Sequence, residues 1–414
     1  MSELKTIAVD LVPIIPGADN GGAKIFTIEL IRKLATLKPN TRFILLTQAA
    51  SHDELAILDS ANVSRRLVWN PGQSRATRNW LLYAEKAAQS ILPAYLAARV
   101  LGGIRRRLTW RKNRTLLREI GADLLFCPFT APLFYDRRIP TVCVIYDLQH
   151  KTYPQFFSTH EVLQRERTFR DATRSASAIA VISNYVRTSV LQTGAISSER
   201  VFTIYIRTPH RLPELDAVHA VEVLRRLELR SGEYLFYPAN FWRHKNHEML
   251  LTAFLMARSG GLQSEVKLVL TGAPSERMRE LAAAADALGL KDDVVFAGFL
   301  SEPDFVVLIK NCLAVVFPSL YEGFGMPIIE AMAAGRPVAC SNKTSLPEVA
   351  DSAALLFDPR IPSQLADAIL RIAADDNLRA DLVKRGMRRA AFFSSSSQMA
   401  QEYWTIFEAV VTNT

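Results

Sequence analysis

Two stretches of this 414-residue chain gather the residue types that handle a charged, hydroxyl-rich ligand. The first is Phe317-Pro-Ser-Leu-Tyr-Glu322-Gly323-Phe324-Gly325-Met326-Pro327-Ile-Ile-Glu330-Ala-Met-Ala-Ala-Gly335-Arg-Pro337. An apolar run ending at Phe317 reads as a buried strand, and a loop with two glycines follows. Pro327 suits the first turn of a helix, where its missing N–H costs nothing. Gly335 and Pro337 then stop that helix. This places Glu322 on the loop before a helix N-terminus and Glu330 near the helix's first turn. Gly323 and Gly325 let the backbone approach a ligand without a Cβ in the way. The unpaired N–H groups of the helix start favour an anion, such as a diphosphate. A carboxylate beside them accepts hydrogen bonds from hydroxyls. Taken as a bare Glu–seven residues–Glu spacing, the same block also describes a strand–loop–helix junction with two solvent-facing acids.

The second stretch is Tyr237-Pro-Ala-Asn-Phe-Trp-Arg243-His-Lys245-Asn246-His247-Glu-Met-Leu-Leu. It follows a strand pattern and opens an amphipathic helix, so Arg243 and Lys245 can reach beyond the strand ends. Fixed cations aimed at a leaving diphosphate stabilise the charge that builds as its bond breaks, more in the transition state than before it. The plainer alternative is two surface cations near a helix start.

These segments need a scaffold, and the periodicity supplies one. Short β-rich runs alternate with helical patterns, the writing of parallel sheets. Strands are predicted at Thr6 to Val12, Phe43 to Thr47, Leu124 to Cys127, Thr141 to Tyr146, Ala178 to Ile182 and Val201 to Ile206. A helix after the first carries Phe26, Leu30, Ile31 and Leu34 at three- and four-residue intervals. A second series covers Tyr234 to Pro238, Val266 to Leu270, Val294 to Ala297, Ala314 to Phe317, Val338 to Cys340 and Ala354 to Phe357. The polar stretch Arg207 to Arg230, with two prolines, reads as the joint. Two doubly wound α/β domains facing a central cleft follow, with ligands beyond the carboxyl ends of the strands. The expected division is residues 1–206, a linker at 207–230, a second domain at 231–395, and a last helix at 396–414 packing back on the first domain. Ser394 to Ser397 caps or precedes that helix.

About half the residues are apolar and 22% are charged, which excludes a disordered chain. Cys127, Cys143, Cys312 and Cys340 lack metal-ligand spacing and read as buried thiols of a reducing compartment. No secretory leader and no run long enough to cross a bilayer are legible, so a cytoplasmic location is expected. The net charge of +9 is uneven. Arg99 to Arg118 holds eight basic residues and no acid, after the apolar Ile91 to Ala98. That composition, within an insertion at about 71–118, suits the surface of an anionic membrane or, equally, a solvated basic helix. No nucleic-acid-binding signature accompanies it.

The block from Glu322 to Pro337, with Leu346-Pro347-Glu348-Val349 and Leu356-Phe357-Asp358-Pro359 downstream, resembles family 4 of the retaining glycosyltransferases, which have the two-domain GT-B fold. The resemblance is strong from about Tyr234 to Pro359 and looser before that. It implies a nucleotide-sugar donor, with Glu322 contacting hydroxyls of the donor sugar, Glu330 binding the ribose and Lys245 on the phosphates. Gly323, Phe324, Gly325 and Met326 would complete the donor loop. Gly21 and Gly22, after the first strand, look like the family's glycine loop. The resemblance also implies front-side transfer with retained configuration, the donor phosphate helping to deprotonate the acceptor. Without an Asp-X-Asp motif, no metal or other cofactor is expected. The wording from Asn240 to His247 is similar to mannosyltransferase-like members and favours a GDP-sugar donor. A glycan or lipid-linked acceptor of cell-surface polysaccharide synthesis is the expected partner.

The chain departs from the family at three points. Ala239 stands where an arginine is common, leaving Arg243 as the nearest substitute. Tyr146-Asp147 stands where relatives have His-Asp, leaving His150 as the nearest histidine and Asp147 to orient it or to cap the loop. A Pro-Asn-Gly run before the joint is missing. A non-catalytic sugar-nucleotide or membrane-binding scaffold, and another GT-B enzyme such as an epimerase or phosphorylase, are the competing readings.

Overall fold

The computed structural model describes residues 4–17, 21–70, 115–207, 212 and 215–412. Most of the basic run, and the apolar segment before it, lie outside these residues. Arg118 is described, and its guanidinium pairs with the buried carboxylate of Asp136.

The described residues form two parallel sheets. The first has seven strands in the order β3-β2-β1-β4-β5-β6-β7. These are β1 (Thr6–Asp10), β2 (Arg42–Gln48), β3 (Val63–Trp69), β4 (Leu124–Cys127), β5 (Thr141–Ile145), β6 (Ala178–Val181) and β7 (Val201–Thr203). The second has the order β10-β9-β8-β11-β12-β13. Its strands are β8 (Tyr234–Pro238), β9 (Lys267–Thr271), β10 (Val294–Gly298), β11 (Ala314–Phe317), β12 (Val338–Ser341) and β13 (Leu355–Phe357). In each sheet the strand order reverses beside the first strand, between β1 and β4 and between β8 and β11. Loops diverge there and leave a crevice.

Central strands such as β1, β4 and β5 are buried along their whole length, because helices cover both faces. Helix α1 (Gly21–Leu37) buries Phe26, Leu30, Ile31 and Leu34 against the first sheet. Helices α2 (Thr159–Ser175) and α3 (Asn184–Leu191) follow β5 and β6. A capping box fixes the start of α2, the Ser158 side chain accepting from the Glu161 N–H while Glu161 accepts from the Ser158 N–H.

The observed strands differ in places from the expected ones. Strand β3 is absent from the predicted set: it is an edge strand whose Arg65 and Arg66 interrupt the apolar run that marks its neighbours. The strand at Thr6 ends at Asp10 rather than Val12, where the Asp10 carboxylate turns the chain by accepting from the Val12 N–H. The joint contains helix α4 (Ala217–Arg226), capped by Asp216. It docks on α7 (Glu302–Asn311) through His219 and Arg226, 2.9 and 2.7 Å from the Asp304 carboxylate. Its exposed face carries Val218 and Val221 beside Glu222, Arg225 and Arg226, over a buried pair, Ala220 and Val223.

The second domain continues with α5 (His247–Ser259), α6 (Glu276–Ala287), α8 (Met326–Ala333), α9 (Leu346–Ala350), α10 (Pro362–Ala374) and α11 (Asp376–Phe392). Helix α12 (Ser396–Thr412) then returns to the first domain, where Tyr403 and Phe407 pack on Phe26 and Phe126. Ser395 Oγ accepts from the Gln398 N–H at its start. Buried Arg207 anchors it near the crossing, 2.6 Å from Glu402. All four cysteines are buried and free.

Candidate active site

The loops after β8 and β11 meet at the mouth of the second domain. After β8 the chain makes a 3-10 turn, Arg243–Lys245, ended by Asn246 in the left-handed region (φ 62°). Asparagine tolerates that conformation better than most side chains, and its amide donates to the carbonyls of Pro318 (3.1 Å) and Pro359 (2.7 Å). The Tyr237 hydroxyl donates to the Lys245 carbonyl (2.8 Å), and Leu320 N–H to that of His244 (2.8 Å). The turn is thereby bolted to the loop that carries Glu322.

That second loop is braced from its other side. Glu322 N–H donates to Thr344 Oγ1 at 3.0 Å, and Ser345 Oγ donates to the carbonyls of Glu322 and Phe324. The two charged side chains at the centre meet as a result: Lys245 Nζ lies 2.5 Å from Glu322 Oε1. Arg243 is exposed and has no ion pair among the described residues. Gly325 adopts φ 103° as the residue before α8, and a Cβ there would fall 2.6 Å from Leu346 Cδ2. Glu330 lies in the second turn of α8 rather than the first, at a cavity of about 400 Å³ that it shares with Asn240, Thr271 and Gly272 beyond β8 and β9. The Phe324 ring is packed away on Phe393 and Tyr205, so only its backbone faces the loop.

The first domain closes on this surface. A Cβ on Gly323 would overlap the Tyr146 carbonyl, and one on Gly22 would come 3.2 Å from Met326 Sδ. Gly21, at φ 50°, opens α1 at the same edge. Ser183 Oγ donates to the Gly323 carbonyl (2.8 Å), and Leu148 N–H to the Tyr321 hydroxyl (3.2 Å). The Glu348 carboxylate crosses between domains to the N-terminus of α3. Its two oxygens accept from Asn184 N–H (2.7 Å), Tyr185 N–H (3.0 Å) and the Tyr205 hydroxyl (2.7 Å). Burial first, then this hydrogen bond, raises the Tyr205 hydroxyl to about 12, so it stays a donor.

Between the domains lies a cavity of about 830 Å³ that includes Asp147, Gln149, Trp242, Arg243, Lys245 and Glu322 in its walls. Asp147 caps its own loop, accepting from the Gln149 N–H at 2.9 Å. His150 does not line this cavity. It is buried after β5 and faces a smaller space beside α2. His244 and His247 are both lowered to about 3, by burial first and the neighbouring Lys245 charge second, and are neutral near pH 7. Among the described residues no three His, Cys, Asp or Glu side chains gather as a metal site.

Sequence reasoning brought Asp147, Arg243, Lys245 and Glu322 to one cavity and Glu330 to a neighbouring one. It missed the braces: Thr344, Ser345, Tyr321, and Glu348 in its bridging part. Short hydroxyl residues in a loop carry no pattern that reveals a partner some twenty positions away.

A crevice between two parallel-sheet domains, with cations and acids from the second, is the architecture of the GT-B fold. Residues 225–389 match the family model described as glycosyl transferases group 1. The chain is 26% identical to O-antigen chain mannosyltransferase B of Escherichia coli over 386 residues, 89% of this chain and 91% of the relative. It is 25% identical to the O-antigen chain mannosyltransferase RfbU of Salmonella typhimurium over 64% of this chain and 68% of that one. In fold it matches Anabaena Alr3699/HepE, solved with UDP and glucose, at TM-score 0.69 and 17% identity, covering 98% and 100% of the two chains. Sucrose-phosphate synthase of Thermosynechococcus elongatus matches at TM-score 0.71 and 20% identity, covering 99% and 100%. No helix of the described residues is long and apolar enough to cross a membrane.

Proposed function

We propose that this glycosyltransferase passes mannose from GDP-mannose to a hydroxyl of a growing cell-surface glycan or its lipid-linked precursor, with retained configuration and without a metal. The observation that carries the reading is the Lys245–Glu322 contact of 2.5 Å at the interdomain cavity. A nucleotide sugar gives each group a better partner: the ammonium turns to the diphosphate and the carboxylate to the sugar hydroxyls. Arg243 adds a second positive charge in the wall of the same cavity. Glu330 binds the ribose. As the sugar–phosphate bond breaks, its electrons go to the phosphate oxygen facing these cations. That phosphate takes the acceptor's proton while the acceptor oxygen joins the same face of the sugar. The mannosyl donor follows from the names of the O-antigen relatives.

The enzyme works at the cytoplasmic face of the membrane, held there by the segment from Arg99 to Arg118. Thermal melts with GDP, UDP and ADP test the donor: GDP stabilises most, and equal or greater stabilisation by UDP or ADP rules GDP out. NMR of the product reads the anomeric configuration, and inversion excludes the mechanism. Loss of turnover in EDTA, restored by Mg²⁺ or Mn²⁺, ends the metal-free reading. Failure to float with anionic liposomes ends the membrane one.

A further inference from the structure

A second cavity, of about 330 Å³, opens on the first domain beside the large one. Asp147, Glu161 and Arg165 belong to the walls of both. Its own walls add His150 and the α2 residues Gln164 and Thr168, over an apolar floor of Ile145 and Phe169. One nitrogen on each of two buried side chains at its junction with the larger space lacks a hydrogen-bond partner. His150 Nε2 belongs to a side chain 5% exposed, and Gln149 Nε2 to one 7% exposed, the latter facing the large cavity. His150 Nε2 stands 3.4 Å from Glu166 Oε2 without hydrogen-bonding to it, and that carboxylate is already held by Lys151 at 2.5 Å. A buried polar atom without a partner destabilises the fold unless something supplies the bond.

The charges limit what that is. Asp147 and Glu161 present two carboxylates. The single guanidinium, Arg165, stacks on the Phe157 ring, 4.6 Å from its centroid. A phosphate or a uronate there meets net negative charge. A neutral ring with hydroxyls on its rim and C–H groups on its face matches both the polar walls and the apolar floor.

We propose that this side cavity holds the terminal sugar of the acceptor, a neutral glycosyl residue whose hydroxyls meet His150 Nε2 and the Gln164 and Thr168 side chains. The assignment rests on the transferase reading above. The cavity lies at the small end of ligand sites, about 300–1,000 Å³, so it grips one sugar and leaves the rest of the glycan outside. The shared wall at Asp147 directs that sugar toward the Lys245–Glu322 centre.

Saturation-transfer NMR with methyl α-mannopyranoside and mannose 6-phosphate, each with GDP present, tests this. The methyl glycoside gives transfer, and the 6-phosphate binds about tenfold or more weakly. Thr168→Phe fills the cavity and weakens the glycoside about tenfold or more. Gln164→Ala, at an exposed position that the fold does not depend on, weakens it about fivefold, the worth of one hydrogen bond. GDP affinity stays unchanged in both variants. Unaltered glycoside binding in both, no transfer in the wild type, or tighter binding of the 6-phosphate overturns the assignment. Failure of the wild type to bind GDP strikes the donor reading instead, so the two failures are told apart.

Discussion

The Lys245–Glu322 pair is open to a test that separates holding the fold from doing the chemistry. Their side chains are 12% and 13% exposed. Removing one partner of a fully buried pair costs about 3–5 kcal/mol, because the other charge is left alone. This pair opens on a large interdomain cavity, and solvent access there cuts the cost to about 1–2 kcal/mol. Lys245→Met and Glu322→Gln each therefore destabilise by about that amount, while the double substitution is less destabilised than the sum of the two. Activity follows another rule. Losing one group that meets developing charge lowers turnover about 10²–10³-fold, or about 2.7–4 kcal/mol. Both single variants and the double variant fall at least that far, with no rescue in the double. Denaturant midpoints and initial rates of sugar transfer, measured on all four proteins, give the two cycles. A double variant that regains activity along with stability would falsify the catalytic roles, as would a single variant with near-normal turnover.

Glu348→Ala releases three hydrogen bonds between domains and leaves the Asn184 and Tyr185 N–H groups of α3 without this acceptor, while Ser183 still caps the helix. At about 0.5–1.5 kcal/mol each after solvent competition, the closed form loses at least about 1.5 kcal/mol, roughly tenfold in population. Small-angle scattering then reads a larger radius of gyration, and an unchanged profile refutes the clasp. Gly323→Ala drives a methyl group into the Tyr146 carbonyl, a backbone atom that cannot yield; the transfer rate falls about tenfold or more while both domains stay folded by circular dichroism. A drop in helical signal instead would place the damage in the fold. Burial raises the Asp10 carboxyl to about 7 against an ordinary 3.8. The folded state therefore keeps its proton while the unfolded chain ionises, and stability falls as pH rises through the window between those values. From pH 5 to 7 this group costs up to about 3 kcal/mol, a dependence that Asp10→Asn removes. Parallel urea midpoints for the two proteins across that window would contradict it.

How much of this was readable beforehand depends on what each feature owes to its own neighbours in sequence. Strands buried on both faces announce themselves as apolar runs, so β4, β8 and β11 stand where predicted. Strand β3 and helix α4 meet the core on one side only, and their arginines mask the pattern. Glu322 and Lys245 were legible because glycines, a proline and two strand ends frame them locally. The bridge from Glu348 to Asn184 joins positions 164 residues apart and leaves no local trace. His150 was legible as a polar residue near the cleft, but which cavity it faces follows from the turn after β5, where burial directs it toward α2.

The return of α12 to the first domain sets an order of assembly. Tyr403 and Phe407 complete the apolar layer around Phe26 and Phe126, so the half of the chain synthesised first lacks part of its interior until the last helix emerges. During translation that half waits with an open apolar seam while its partner matures. The first domain therefore gains its full interior only once α12 has been made, and deleting α12 weakens that domain.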